Sequence, residues 1–137
     1  MGAWGIGAFE NDDAMDWSLD LMDAADPLRA IQSALDLAEE EDYLEAPDAC
    51  QILAACAVIS ASKNKEPTSG YPLPDELADW IFERDRDFGA LAPVAVKAIQ
   101  RVLAPDSELN ELWEDTGDYD LWKQDVQMPV VSLTAQS

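Results

Sequence analysis

Histidine is absent from all 137 residues, and eight basic side chains face 29 acidic ones. Without imidazole there is no ready general base at neutral pH and no histidine metal ligand. Ser-His and Cys-His nucleophilic pairs are excluded as well. Two cysteines alone fall short of the four ligands of an ordinary structural zinc site. Any catalysis would have to run on carboxylates holding a hard cation. The shortage of Lys and Arg excludes another class. Phosphate-rich partners need a local basic cluster, and the nearest approach to one is the pair Lys63 and Lys65. No nucleic-acid or membrane partner is therefore expected. No stretch of about 20 uncharged apolar residues exists to span a bilayer. The opening residues lack the basic region and apolar run of a secretory leader. Met1-Gly2 begins like a myristoylation site, but Ile6 stands where Ser or Thr is required.

What is abundant is negative charge. The net charge is -21, well beyond the roughly 2–8 that serves solubility in a small domain. Residues 1–62 hold 14 acids against one base, Arg29, and the remainder holds 15 against seven. The first half should project the stronger field. Apolar residues make up 48% of the chain, enough for one buried core and one domain of this length. Cys50 and Cys56 fall six apart in a helical segment, about 240° and ~9 Å apart on a helix. One helix cannot bridge them, so both are expected as buried free thiols, which suits the cytoplasm.

The pattern along the chain is helical throughout. Residues 1–10 hold three of the six glycines together with Trp4, Ile6 and Phe9. They should form an arm laid on a helical body. Helix one is expected over Asp12–Asp23, capped by Asn11. Ala14, Trp17, Leu21 and Ala25 form one apolar stripe, and Met15, Leu19 and Met22 a second. Burial on two sides would leave a narrow ridge of Asp13, Asp16, Asp20 and Asp23. Helix two starts at Asp26-Pro27 and runs into Glu39-Glu40-Glu41-Asp42, acids at the end where the helix dipole disfavours them. Helix three, Ala46–Ala61, is apolar nearly all round and should be central. A loop over 63–74, marked by Pro67, Gly70, Pro72 and Pro74, leads to helix four, Pro74–Arg86. Helix five spans Leu91–Leu103 with Val94, Ala98, Ile99 and Val102 inward. Helix six spans Ser107–Asp115. Helix seven is capped by Asp118, turns Leu121, Trp122 and Val126 inward and ends at Pro129, leaving residues 130–137 as a loose or weakly helical tail. No strand period and no repeat is evident. The expected fold class is an all-α, single-domain irregular or orthogonal bundle of six to seven short helices.

Several segments resemble a small bacterial family of unknown function, DUF4259. They are Gly2-Ala3-Trp4-Gly5, then Phe9-Glu10-Asn11-Asp12-Asp13-Ala14 with Asp16-Trp17, then Leu44-Glu45-Ala46-Pro47-Asp48-Ala49. Near the C-terminus, Ser107-Glu108-Leu109, Leu112-Trp113-Glu114 and Gly117-Asp118-Tyr119 are similar too. The loop 63–72 and the tail after Gln127 carry no family pattern. The resemblance implies a small bacterial helical protein and brings no catalytic residue with it.

Three acidic constellations bear on chemistry. Asp12-Asp13-Ala14-Met15-Asp16 matches a DDxxD magnesium pattern, with Asp12 and Asp16 on one side of a helix. The second acidic motif and the basic residues that hold a diphosphate are missing, and capping acids on a solvated ridge explain it better. Glu39 to Asp42 with Asp75, Glu76 and Asp79 could imitate a helical pyrophosphohydrolase site, but Asp75 and Glu76 suit the first turn of a helix. Residues 12–23 lack the glycine and spacing of an EF-hand loop. Gly5-Ile6-Gly7 lacks both the third glycine and the preceding strand of a dinucleotide fingerprint. Trp17, Trp80, Trp113 and Trp122 fall on apolar helix faces and are expected in the core.

The expectation is therefore a non-enzymatic acidic binding protein, without cofactor or metal, that docks on a basic protein. An immunity protein blocking the cationic cleft of a nuclease-like toxin is the concrete version. The expected contact residues are Asp13, Asp16, Asp20, Asp23, Glu39, Glu40, Glu41 and Asp42, on a monomer or small oligomer. The alternatives are a magnesium-dependent carboxylate phosphohydrolase, a structural or scaffold subunit, and acidity that serves only solubility or a salty setting.

Overall fold

The computed structural model describes residues 7–39, 42–64, 73–83 and 86–134. These are all helical or connecting. The helices are α1 (Asp12–Asp23), α2 (Pro27–Asp36), α3 (Ala46–Asn64), α4 (Asp75–Phe82), α5 (Ala92–Val102), α6 (Glu108–Glu114) and α7 (Tyr119–Thr134). Short 3-10 turns, Leu37–Glu39 and Gly89–Leu91, follow α2 and precede α5. Among the described residues there is no strand, only one isolated bridge between Leu44 and Ser107.

Local chemistry sets the helix starts. Gly7 N–H donates to Glu10 Oε1 at 3.2 Å and Glu10 N–H to the Gly7 carbonyl at 3.0 Å. This turn delivers Asn11, whose Oδ1 accepts from Ala14 N–H at 2.8 Å and fills one of the open donors of α1. Asp26 does the same for α2 through Arg29 N–H, with Pro27 in the first turn. Trp4 and Ile6 of the expected arm lie outside the described residues, while Phe9 is buried.

The apolar helix α3 is the spine. From Ile52 to Ser62 every side chain is buried, and α1, α2, α4, α5, α6 and α7 all pack against it. Full burial of each Ile or Val here contributes roughly 1.5–3 kcal/mol. Alanines and Cys56 let neighbours approach closely, and the Cys56 thiol donates to the Ala95 carbonyl of α5 at 3.6 Å. Ser62 Oγ donates to the Ile59 carbonyl and accepts from Phe88 N–H, both at 2.9 Å, tying the end of α3 to the approach to α5. Both cysteines are free and buried.

The aromatics are mostly core. Trp17, Trp113 and Trp122 are buried, and the last two stack at 5.9 Å. Trp80 is only partly buried. It stacks on Phe88 at 6.1 Å, and the Arg86 guanidinium lies 3.9 Å from its ring centre.

Several expected faces and ends differ. On α5 the inward residues are Ala95, Ala98, Ile99 and Val102, an i, i+3, i+4, i+7 set, which turns Val94 outward to 45% exposure. On α7 the inward set is Trp122, Asp125, Val126 and Pro129, so Leu121 is 55% exposed. Pro129 does not end α7, which continues to Thr134. Proline removes one N–H and crowds the preceding turn without forbidding helix beyond it, and here its ring lies on the buried face. α2 stops at Asp36, short of the acid run that would oppose its dipole. α4 stops at Phe82. The second apolar stripe of α1 is only partly covered: Met15 and Met22 pack against the core, but Leu19 is 51% exposed.

A clasp joins the α2–α3 connection to the α5–α6 connection. Leu44 N–H donates to the Asp106 carbonyl at 2.9 Å, and the Leu44 carbonyl accepts from Glu108 N–H at 2.8 Å. Glu108 Oε1 accepts from Ala46 N–H at 2.7 Å, placing a carboxylate at the positive end of α3. Tyr43 donates its hydroxyl to Glu111, which pushes the phenol up to about 12. Arg101 on α5 donates to the Asp42 carbonyl at 2.6 Å and to Asp106 Oδ1 at 3.1 Å. Leu44, 0% exposed, is the apolar centre of this clasp.

Candidate functional site

The expected contact residues separate into two places. Asp13, Asp16, Asp20 and Asp23 stand together on α1, joined by Asp12, and all five are exposed. At 100° and 1.5 Å per residue they occupy an arc of roughly 100° over ~17 Å. Among the described residues none of the five pairs with a basic side chain. Asp12 and Asp13 gain from the helix dipole at the first turn. Asp20 and Asp23 lie toward the end where a carboxylate is unfavourable, and the last turn carries no base. Like charges three and four apart add a few tenths of a kcal/mol of repulsion per pair. The ridge thus costs stability where it stands. Asp13, though exposed, is near enough to be felt by Cys50, whose thiol is pushed up to about 12 by burial first and by Asp13 second.

The other group is differently set. Glu39 ends a 3-10 turn and Asp42 follows, both exposed; Glu40 and Glu41 lie outside the described residues. Leu35 and Asp36 lie beside Val94, the turn Leu37–Glu39 packs on α5, and Asp42 meets Arg101. Arg101 holds the backbone of Asp42, so Asp42 has a cation at its side, which among the described residues the ridge does not. α1 packs on α3 and is flanked by α2 and α4, whereas the turn Leu37–Glu39 packs on α3 and α5, and residues 43–46 bond to the 106–111 segment. The two groups are carried by different parts of the bundle.

No group of three or more His, Cys, Asp or Glu side chains suited to a metal ion occurs among the described residues. Asp75, Glu76 and Asp79 are exposed on α4, the first two in its first turn. Among the described residues no helix is long and apolar enough to cross a membrane. A shallow cavity of about 320 Å³ lies between α2 and the start of α5, lined by Gln32, Leu35, Asp36, Leu91 and Val94. Asp36 is its one titratable group.

Leu19, expected to be buried with the second apolar stripe of α1, is instead exposed beside the ridge. The signal was present in the stripe Met15, Leu19, Met22, which widens the apolar arc of α1 beyond what one packing contact on α3 requires. Arg101 was passed over, because its partners Asp42 and Asp106 are brought together only by the fold.

No curated protein and no solved structure matches the chain. The family described as Domain of unknown function (DUF4259) matches residues 2–125. That span includes α1 to α6, the ridge, the clasp and the first residues of α7, and the chain belongs to the DUF4259 family.

Proposed function

We propose that the protein acts by binding a basic protein partner through its anionic surface, without catalysing a reaction. In its most concrete form it is a bacterial, cytoplasmic immunity protein that occupies the cationic cleft of a nuclease-like toxin. One observation carries the reading: five carboxylates stand exposed along one arc of α1, and among the described residues none of them pairs with a basic side chain. Such a field on a chain of net charge -21 steers a cationic partner and can raise association to ~10⁸–10⁹ M⁻¹s⁻¹ at low salt. Glu39 and Asp42 contribute less, since Arg101 is bonded to the Asp42 carbonyl.

The test is affinity capture from the host at low salt with elution by rising salt, followed by binding measurements on the purified pair. Recovery of one basic protein is expected, with an association rate that falls steeply with salt. The combined Asp13→Asn, Asp16→Asn, Asp20→Asn and Asp23→Asn variant should bind at least tenfold more slowly. A captured partner whose association is indifferent to salt and to these four changes refutes the reading.

A further inference from the structure

α1 is apolar over a wider arc than α3 covers. Around the helix from its buried face come Met22 and Met15, partly buried, then Leu19 at 51% exposure, then the carboxylates of Asp12, Asp23, Asp16 and Asp20. Leu19 lies three residues from Asp16 and Met22 and four from Met15 and Asp23, spacings that bring Cβ atoms within about 5–6 Å on a helix. The edge thus sets one half-exposed leucine, flanked by two partly buried methionines, beside carboxylates that have no basic partner among the described residues.

Resting on the reading above, we propose that this edge is the docking face, and that its occupant is a basic amphipathic segment of the partner. An apolar side chain of that segment seats against Leu19 between Met15 and Met22, while Lys or Arg residues beside it meet Asp12, Asp16, Asp20 and Asp23. Charge selects this occupant. A second copy of the chain would bring another such ridge, on another body of net charge -21, against the first. A cationic segment is drawn in, and the leucine contact supplies the short-range attraction that charge alone lacks.

The experiment titrates the full chain with two synthetic helical peptides of equal positive charge. One is built of leucine and lysine in amphipathic order, and the other has serine in place of leucine. Affinity is read by fluorescence anisotropy and the contact surface by amide NMR shifts. The leucine peptide should bind more tightly, with shifts centred on Met15 to Asp23. Leu19→Ser should weaken it roughly fivefold, the share expected from completing the burial of a half-exposed leucine. The same change should leave the serine peptide unaffected. Leu19 is outside the core, so the variant should keep its helical signal, and Leu19→Ala gives a milder second reading. Equal binding of both peptides with no effect of Leu19→Ser, but loss on Asp16→Asn with Asp20→Asn, overturns the apolar edge and leaves the anionic reading standing. Binding of neither peptide at low salt overturns both. Self-association seen by sedimentation and abolished by Leu19→Ser would give the edge to a second copy and refute the proposal.

Discussion

Replacing Glu108 by Ala removes the carboxylate that accepts from Ala46 N–H at 2.7 Å, at the head of the helix around which the bundle is built. A hydrogen bond to a charged group contributes about 1.5–3 kcal/mol, and a carboxylate at a helix N-terminus adds about 0.3–1 kcal/mol when exposed and up to ~2 kcal/mol when partly buried. Glu108 is partly buried, so solvent screens part of this and about 2 kcal/mol is the expected loss. Glu108→Gln keeps an acceptor without the charge and should lose about half as much. With a urea m-value of about 2 kcal/mol/M for a chain of this size, the midpoint should fall by ~1 M for Ala and ~0.5 M for Gln. Urea unfolding followed by far-UV circular dichroism measures both. The backbone pair of Leu44 with Asp106 and Glu108 is untouched, so the m-value should not change. A midpoint shift under ~0.2 M for Glu108→Ala would show that the carboxylate does not hold the head of α3 and would refute the account of the clasp.

Ser107 precedes α6, where replacing serine by alanine ordinarily costs about 1 kcal/mol. Its Oγ is buried without a hydrogen-bond partner, so Ser107→Ala should be neutral or stabilising; a loss of 1 kcal/mol in thermal or urea unfolding contradicts this. Burial raises both thiols, Cys50 to about 12 and Cys56 further. Above pH ~9 the unfolded chain releases these protons and the folded chain keeps them, so stability should fall with rising pH, by about 1 kcal/mol per thiol at pH 10. Tyr43, raised to about 12 by its bond to Glu111, acts in the same direction above pH ~10. A flat stability profile from pH 8 to 10.5 would oppose this, and Cys50→Ala should shallow the slope. Finally, self-repulsion at net charge -21 is screened once the Debye length shortens to ~8–10 Å, so the melting temperature should rise between 10 and ~150 mM NaCl; a fall would mean that attractive ion pairs dominate.

Much of the fold was legible because its signals are local. Asn11 and Asp26 cap where the sequence placed them, Pro27 opens α2, and the apolar run from Ile52 to Ala61 is the spine. Val94 and Leu121 were assigned to the wrong side because each adjoins a true core position one residue away, and hydropathy cannot rank neighbours 100° apart. Pro129 was read as a stop because its missing N–H is visible in sequence, while the burial that keeps its helix going is not. The clasp was not legible at all: Leu44 and Ser107 are joined through backbone groups, which carry no residue signature. At the candidate site the acids of α1 were found by counting. That Leu19 is uncovered, and that Arg101 sits beside Asp42, depends on which helices pack on which.

The placement of α3 also sets the order in which the molecule can come apart. A helix touched by six others has no private opening: exposing its amides to solvent means releasing its neighbours as well. In hydrogen–deuterium exchange its middle amides should therefore report the global unfolding free energy. α1 is bound into the same unit: it buries Ala14, Trp17 and Leu21 and packs on α2 and α4 as well as on α3, so the amides of its buried face should be protected too. The surface that bears the carboxylates thus stands on a helix anchored to the spine, and it should meet an incoming partner as a fixed face.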